Sequence, residues 1–396
     1  MTAEGRRRHR VVASHRIATS AFRLAGVFAV VAVGWAIVVL VRGGSWWGPV
    51  HAFLLGSVTL AIAGASQMFT VTWSAAPAPR ASAAAIQRWM HTVGAAAVLG
   101  GMVVRSMGGL VVGGVAVAAG LVLLAANLLS AVRRSLLRRF DLSARFYLLA
   151  IACAVVGVTL GVLLSVGVVG DRYSTVRVVH GHLNLVGFVG FTIIGTLPTI
   201  LPTFAHHPAV SGGEAILAWR LAILSAGVTV SGLVLGAPAV GVGTLLAACS
   251  LVLVTAGVTV RLGRTGLRGG LAYLQVSLGC GWLAVWAVVD GTRLLSASVG
   301  PAFDGWIAAA VVAGVGQVLL GSLAYLIPVL AGPGPRLGRN FDRFQRRSWI
   351  PLVAANGTAV ALLVPAPPVA GFLLAIWVLD FTRRLALMER GATDES

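Results

Sequence analysis

The chain has 396 residues, of which 58% are hydrophobic and only 10% charged, and its net charge is +19. Soluble domains average about 45–50% apolar and about 25% charged residues. A soluble enzyme, a secreted disulfide scaffold and a disordered chain are thereby excluded, which leaves a polytopic membrane protein. All 30 basic residues are arginine, placed in short gaps between long apolar runs. That distribution excludes a nucleic-acid-binding domain, which would gather its charge on one polar face.

The first 19 residues form an Arg-rich tail, read as a topology and lipid-headgroup anchor. A spanning helix needs about 20 mostly apolar residues. In chain order the segments that qualify are 20–42, 46–71, 84–104, 107–131, 143–170, 178–204, 214–235, 238–260, 271–295, 303–331, 349–364 and 366–386. The first has no A-x-A-like site before Trp46, so it is expected to stay as a helix rather than be removed as a signal peptide. The last two are short and are split at Pro365, Pro367 and Pro368. Cys153, Cys249 and Cys280 are scattered over apolar segments without metal-type spacing and read as small buried hydrophobes.

With twelve spans, the termini and every second loop share one side. That side carries 25 of the 30 arginines, and the other holds only Arg42, Arg105, Arg172, Arg177 and Arg293. Positive-inside sorting then places both termini in the cytoplasm, across the cell (plasma) membrane, with the lipid bilayer as the principal partner. The expected fold is all-α: one membrane domain of about twelve helices over residues 20–386, followed by a cytoplasmic tail at 387–396.

An internal repeat runs through this domain. The second span reads HAFLLGSVTLAIAG from His51 and the sixth reads HLNLVGFVGFTIIG from His182. Their matches are His51/His182, Leu54/Leu185, Gly56/Gly187, Val58/Val189, Ile62/Ile193 and Gly64/Gly195. Apolar matches are common between membrane helices, but a shared histidine is not. The tenth span continues the pattern with Gly195/Gly321, Leu197/Leu323 and Pro202/Pro328, and has Ala308 where the others have histidine. Three pseudo-repeats of four helices are expected, at about 20–140, 141–268 and 269–386.

Intramembrane polar residues are costly and point to function. His51 and His182 occupy equivalent positions near the outer face, and neutral imidazole is the commonest metal ligand and a standard axial ligand of haem iron. His180 and His182 are two residues apart, which separates them by roughly 200° around a helix. One regular helix therefore cannot easily aim both at one metal; they serve two sites, or one ligates while the other meets water or a haem propionate. His51, His182 and His180 are the candidate metal and cofactor ligands. The rival is interfacial histidines bonded to backbone or water, and the glycines Gly56, Gly64, Gly187 and Gly195 are explained by close helix packing as well as by room for a ligand. His91 reads as structural. His206 and His207, before Pro208, read as a solvated helix end. No Asp or Glu falls at a bilayer midplane: Asp290, Asp304, Glu214 and Asp380 all lie near span ends, unlike the pattern of a proton-coupled carrier.

The stretch VVHGHLNLVGFVGFTIIGTLPTILPTF, from Val178 to Phe204, resembles the H-x-H-x-N-x-x-G helix of bacterial membrane proteins related to haem-copper oxidase subunit I. Nitric oxide reductase large subunits and NnrS-type haem–copper proteins lie in that neighbourhood. The likeness covers this span well, the second span moderately and the rest by topology. It implies haem b or copper as cofactor, a low-spin haem ligand at His51, and ligands facing two haems at His180 and His182. It also implies an electron-donor protein or a quinol as partner. The tenth span departs from the family pattern, with Ala308, Gln317 and no histidine. The expected function is a haem- or copper-binding membrane protein with a redox or nitric-oxide-related role. The alternatives are a transporter built from helical repeats and a family member that holds no metal.

Overall fold

The computed structural model describes residues 3–208, 212–264, 270–296, 304–332, 335–364 and 366–388. Arg268, Pro365, Arg390 and residue 303 of the tenth expected span lie outside them, as does most of the 387–396 tail. Among the described residues the chain forms thirteen helices and no strand. They are α1 (Ala3–Arg42), α2 (Trp47–Trp73), α3 (Ala81–Val103), α4 (Met107–Arg133), α5 (Asp141–Ser165), α6 (Gly170–Phe204) and α7 (Gly213–Leu235). Then follow α8 (Ala237–Arg264), α9 (Leu271–Leu295), α10 (Gly305–Ala331), α11 (Pro335–Gln345), α12 (Trp349–Leu363) and α13 (Pro367–Ala386).

Nine of these, α1, α2 and α4 to α10, are long and apolar enough to cross a membrane, counted over the described residues. In hydrocarbon each backbone polar group must be bonded internally, which a helix achieves within itself. The chain is an all-α, multi-pass membrane protein. α12 is apolar but spans only 15 residues.

Helix exposure separates lipid-facing from enclosed helices. Only 22% of the apolar window of α1 is buried, against 72% for α2 and 78% for α6. α1 turns Val27, Val30 and Val41 outward and buries Ala18, Ala21, Ala25 and Ala32. Its small-residue face lets a neighbouring backbone approach, which supplies the dispersion contacts that hold membrane helices together.

The chain divides into two units by packing. The first comprises residues 1–195, 222–244 and 294–299, and the second residues 196–221, 245–293 and 300–396. In the first, α1 packs along α2, α3 pairs with α4, and α5 lies against α6. A buried amide chain crosses it, with Asn127 donating to Gln67 (3.3 Å) and Gln67 donating to Gln87 (3.3 Å) and to the Ala63 carbonyl (3.0 Å). In the second, Trp282 Nε1 donates to Asn356 (2.7 Å), and Gln317 and Asn356 bond each other. Such pairs satisfy buried amides that lipid could not.

Three helices carry π-helical stretches: Ala52–Val58 in α2, Leu183–Gly190 in α6 and Ala310–Gly316 in α10. The first two begin immediately after His51 and His182, and the third begins two residues after Ala308. Downstream, Gly64, Gly195 and Gly321 each lie where an added Cβ would strike a side chain of the preceding long helix, namely Ala21, Phe146 and Gln275. The three helices thus share an irregularity and a packing contact at the positions that align in sequence.

Several local expectations are corrected. The N-terminal segment is helical and continuous with the first span: α1 is one 40-residue helix from Ala3, and Ser14 and Ala18 are fully buried. Arg10 ties this extension down by donating to the Ala75 carbonyl (3.1 Å). α5 stops at Ser165 and α6 begins earlier than residue 178. Cys249 is exposed on the side of α8, whereas Cys153 and Cys280 are buried. α11 is an amphipathic helix that no apolar run announced. The carboxylates pair near helix ends, as Glu214 with Arg261, Asp304 with Arg293 (2.9 Å) and Asp380 with Arg384 (2.6 Å).

Candidate metal centre

The centre is built in the first unit from α2, α5 and the start of α6. At the N-terminus of α2 the ring of His51 folds back, and its Nδ1 lies 2.8 Å from the Trp47 carbonyl. His182 makes the same bond one helical turn back, Nδ1 to the Val178 carbonyl at 2.8 Å. His180 reaches across to α5, with Nδ1 2.7 Å from the Gly157 carbonyl. A carbonyl only accepts, so in each ring Nδ1 carries the hydrogen. In the neutral ring Nε2 is then the unprotonated nitrogen, and the carbonyl partner sets ring orientation as it does for metal-bound histidine.

The ring stacked alongside His51 is that of His180. Their centroids are 6.3 Å apart and their planes 13° from parallel. On its other contact His51 stacks on Trp47, with centroids 4.1 Å apart and planes at 18°. His51 is half-buried and His182 is buried at 9% exposure.

Two glycines one turn apart on α5 shape the pocket for His180. A Cβ on Gly161 would fall 2.8 Å from His180 Cε1, and one on Gly157 would strike the Asn184 amide. Asn184 donates to the His180 carbonyl (2.8 Å). Sequence reasoning did not assign roles to Trp47, Gly157, Gly161 or Asn184. The signals were present: Gly157-x-x-x-Gly161 is a small-residue pattern for close helix approach, and Asn184 lies four residues after His180, the spacing of one helix face.

His91 is placed elsewhere. It is almost fully buried on α3, and its Nε2 donates to the Leu55 carbonyl inside the π stretch (2.8 Å). A π turn displaces carbonyls from their usual partners; the neighbouring Leu54 carbonyl accepts from Thr59 Oγ1 (2.9 Å). His91 thus links α3 to the π stretch of α2 through Nε2, and its buried Nδ1 meets no hydrogen-bond partner. His206 sits at the end of α6 with a positive φ of 55°, and His207 Nδ1 bonds the Pro208 carbonyl (3.0 Å).

Among the described residues no group of three or more His, Cys, Asp or Glu side chains converges as a metal cage. The imidazoles of His51 and His180 are paired as near-parallel rings. No protein-family model matches the chain, and no curated protein matches it in sequence.

Proposed function

We propose that this multi-pass membrane protein is a redox metalloprotein that holds a metal between His51 and His180, as the iron of a haem b or as a copper ion. The observation that carries the reading is the pair of near-parallel, stacked imidazoles 6.3 Å apart, brought together from two helices, each with Nδ1 committed to a backbone carbonyl. Haem iron or copper held by His51 and His180 would supply one-electron transfer. That chemistry is the redox half of the expected role, and it would call for an electron-donor protein or a quinol as partner. His182 repeats the helix back-bond of His51 and is assigned a supporting place.

The resemblance to haem-copper oxidase subunit I supports the same reading. The wider architecture is proposed with it: twelve spans, with α3, α12 and α13 added to the nine apolar helices, arranged as three four-helix repeats. The shared π stretches in α2, α6 and α10 support that repeat. The arginine distribution supports a plasma-membrane orientation with both termini cytoplasmic.

Absorption spectroscopy and metal analysis of detergent-purified protein, as isolated and after loading with haemin or copper(I), test the centre. A Soret band that vanishes in His51→Ala and His180→Ala supports haem; stoichiometric copper lost in the same variants supports copper. If neither group is retained by the wild type after loading, the reading is wrong.

A further inference from the structure

The end of α11, the turn after it and the C-terminal end of α13 line an open cavity of about 330 Å³, bordered by Arg343, Arg346, Arg347, Arg383, Arg384 and Leu387. Five guanidiniums around one cavity repel each other unless something negative joins them. Two of the five, Arg384 and Arg343, are tied down by hydrogen bonds. Arg384 is buried at 5% exposure and pairs with Asp380 through two bonds (2.6 and 3.3 Å). The same guanidinium donates to the carbonyls of Arg343 (3.2 Å), Phe344 and Arg347 (3.3 Å). Arg343 in turn donates to the Leu387 carbonyl (2.7 Å). Arg384 thus ties the last turn of α11 and the turn after it to α13, and the Arg347 carbonyl it meets belongs to a residue in the left-handed region, φ 51°, uncommon for a non-glycine residue.

Asp380 is engaged with Arg384, so it does not neutralise the rest. Arg346, Arg347 and Arg383 are exposed and meet no carboxylate among the described residues. Their planar forks match phosphate oxygens bidentately. α11 itself is anchored: Phe344 is fully buried against Phe381 (6.1 Å), Phe341 packs on Tyr325 (5.1 Å), and Arg336 and Arg339 lie on the exposed side. An amphipathic helix of this kind lies in the plane of the bilayer interface. Trp349, two residues after Arg347, is 64% exposed, and Leu387 on the cavity wall is 53% exposed. An exposed tryptophan beside a basic cavity suits the headgroup level of a membrane.

We propose that this cavity is a binding site for a phosphate group, and that the phosphate is carried by an anionic phospholipid of the arginine-rich side of the membrane. Arg346, Arg347 and Arg383 take the phosphate, Arg384 and Asp380 hold the site in shape, and the apolar residues beside it meet the lipid's acyl region. This site is separate from His51 and His180, and it stands whether or not those residues hold a metal.

The test uses the full chain purified in neutral detergent, read by native mass spectrometry and by thermal unfolding. The probes are phosphatidylglycerol, phosphatidylcholine and inorganic phosphate. Phosphatidylglycerol is expected to bind the wild type at least tenfold more tightly than it binds Arg346→Gln/Arg347→Gln/Arg383→Gln, and to raise the Tm of the wild type alone. The control Arg138→Gln/Arg264→Gln, which removes exposed charge elsewhere, is expected to behave as the wild type. If inorganic phosphate gives the same protection and competes with the lipid, the site takes free phosphate and the lipid assignment is overturned. If phosphatidylglycerol binds the wild type and the triple variant equally, or no better than phosphatidylcholine, the site is overturned. Should the triple variant fail to fold, Arg383→Gln alone carries the same comparison, with a smaller expected loss of about threefold.

Discussion

His51 and His180 come from different helices, yet their rings lie 6.3 Å apart and within 13° of parallel. Each ring is fixed from behind, His51 by the Trp47 carbonyl one turn back and His180 by the Gly157 carbonyl of a neighbouring helix. A ring fixed in this way would lose little freedom on binding a ligand.

The first prediction separates the two histidines of α6. His180→Ala is expected to abolish metal or haem retention, and His182→Ala to leave most of it, read as absorbance per mole of protein. The opposite pattern would return the centre to the pair that aligns in register, His51 and His182.

Gly161 offers a subtler probe. Gly161→Ala places a methyl 2.8 Å from His180 Cε1, and overpacking of this kind costs about 1–3 kcal/mol. If the ring gives way, affinity for the metal should fall by roughly 5- to 150-fold while the helices remain intact by circular dichroism. An unchanged affinity would mean that the position of His180 is not set by this contact.

His91 should behave differently from both. His91→Ala removes the donor to the Leu55 carbonyl and leaves that carbonyl buried, a loss of about 1–3 kcal/mol. Thermal unfolding should show lower stability, with the metal content of the folded fraction unchanged. A lost chromophore at constant stability would contradict the structural assignment.

The pair Asp380 and Arg384 has side-chain exposures of 7% and 6%. Removing one member of a buried pair costs about 3–5 kcal/mol because the other charge is stranded. Asp380→Ala is therefore expected to be strongly destabilising. Asp380→Leu/Arg384→Met should recover part of the loss, because no buried charge is left unpaired. Equal stability of all three in detergent would show that water reaches the site.

Topology is open to direct measurement. Reporter fusions after residues 140 and 270 are expected to read cytoplasmic, and one after residue 172 external. An external reading at 140 would break the alternation on which twelve spans rest.

The membrane class and most helix positions could be read from composition and apolar run length, because hydrocarbon admits no other way to satisfy a spanning backbone. The equivalence of His51 with His182 was also legible, and in the structure both rings make the same back-bond at the start of a π stretch. The separation of His180 from His182 around the helix followed from helical geometry alone. Which of the two would meet His51 did not follow. Equivalent residues of repeats occupy like places and need not touch; contact depends on how each helix is rotated about its axis. That rotation was set by tertiary packing, in which Gly157 and Gly161 of α5 admit Asn184 and His180. The π stretches were hidden for a related reason: they change backbone hydrogen bonding without requiring a distinctive residue. α11 escaped notice because an eleven-residue amphipathic helix has no apolar run, and it is stable only where Phe341 and Phe344 find Tyr325 and Phe381.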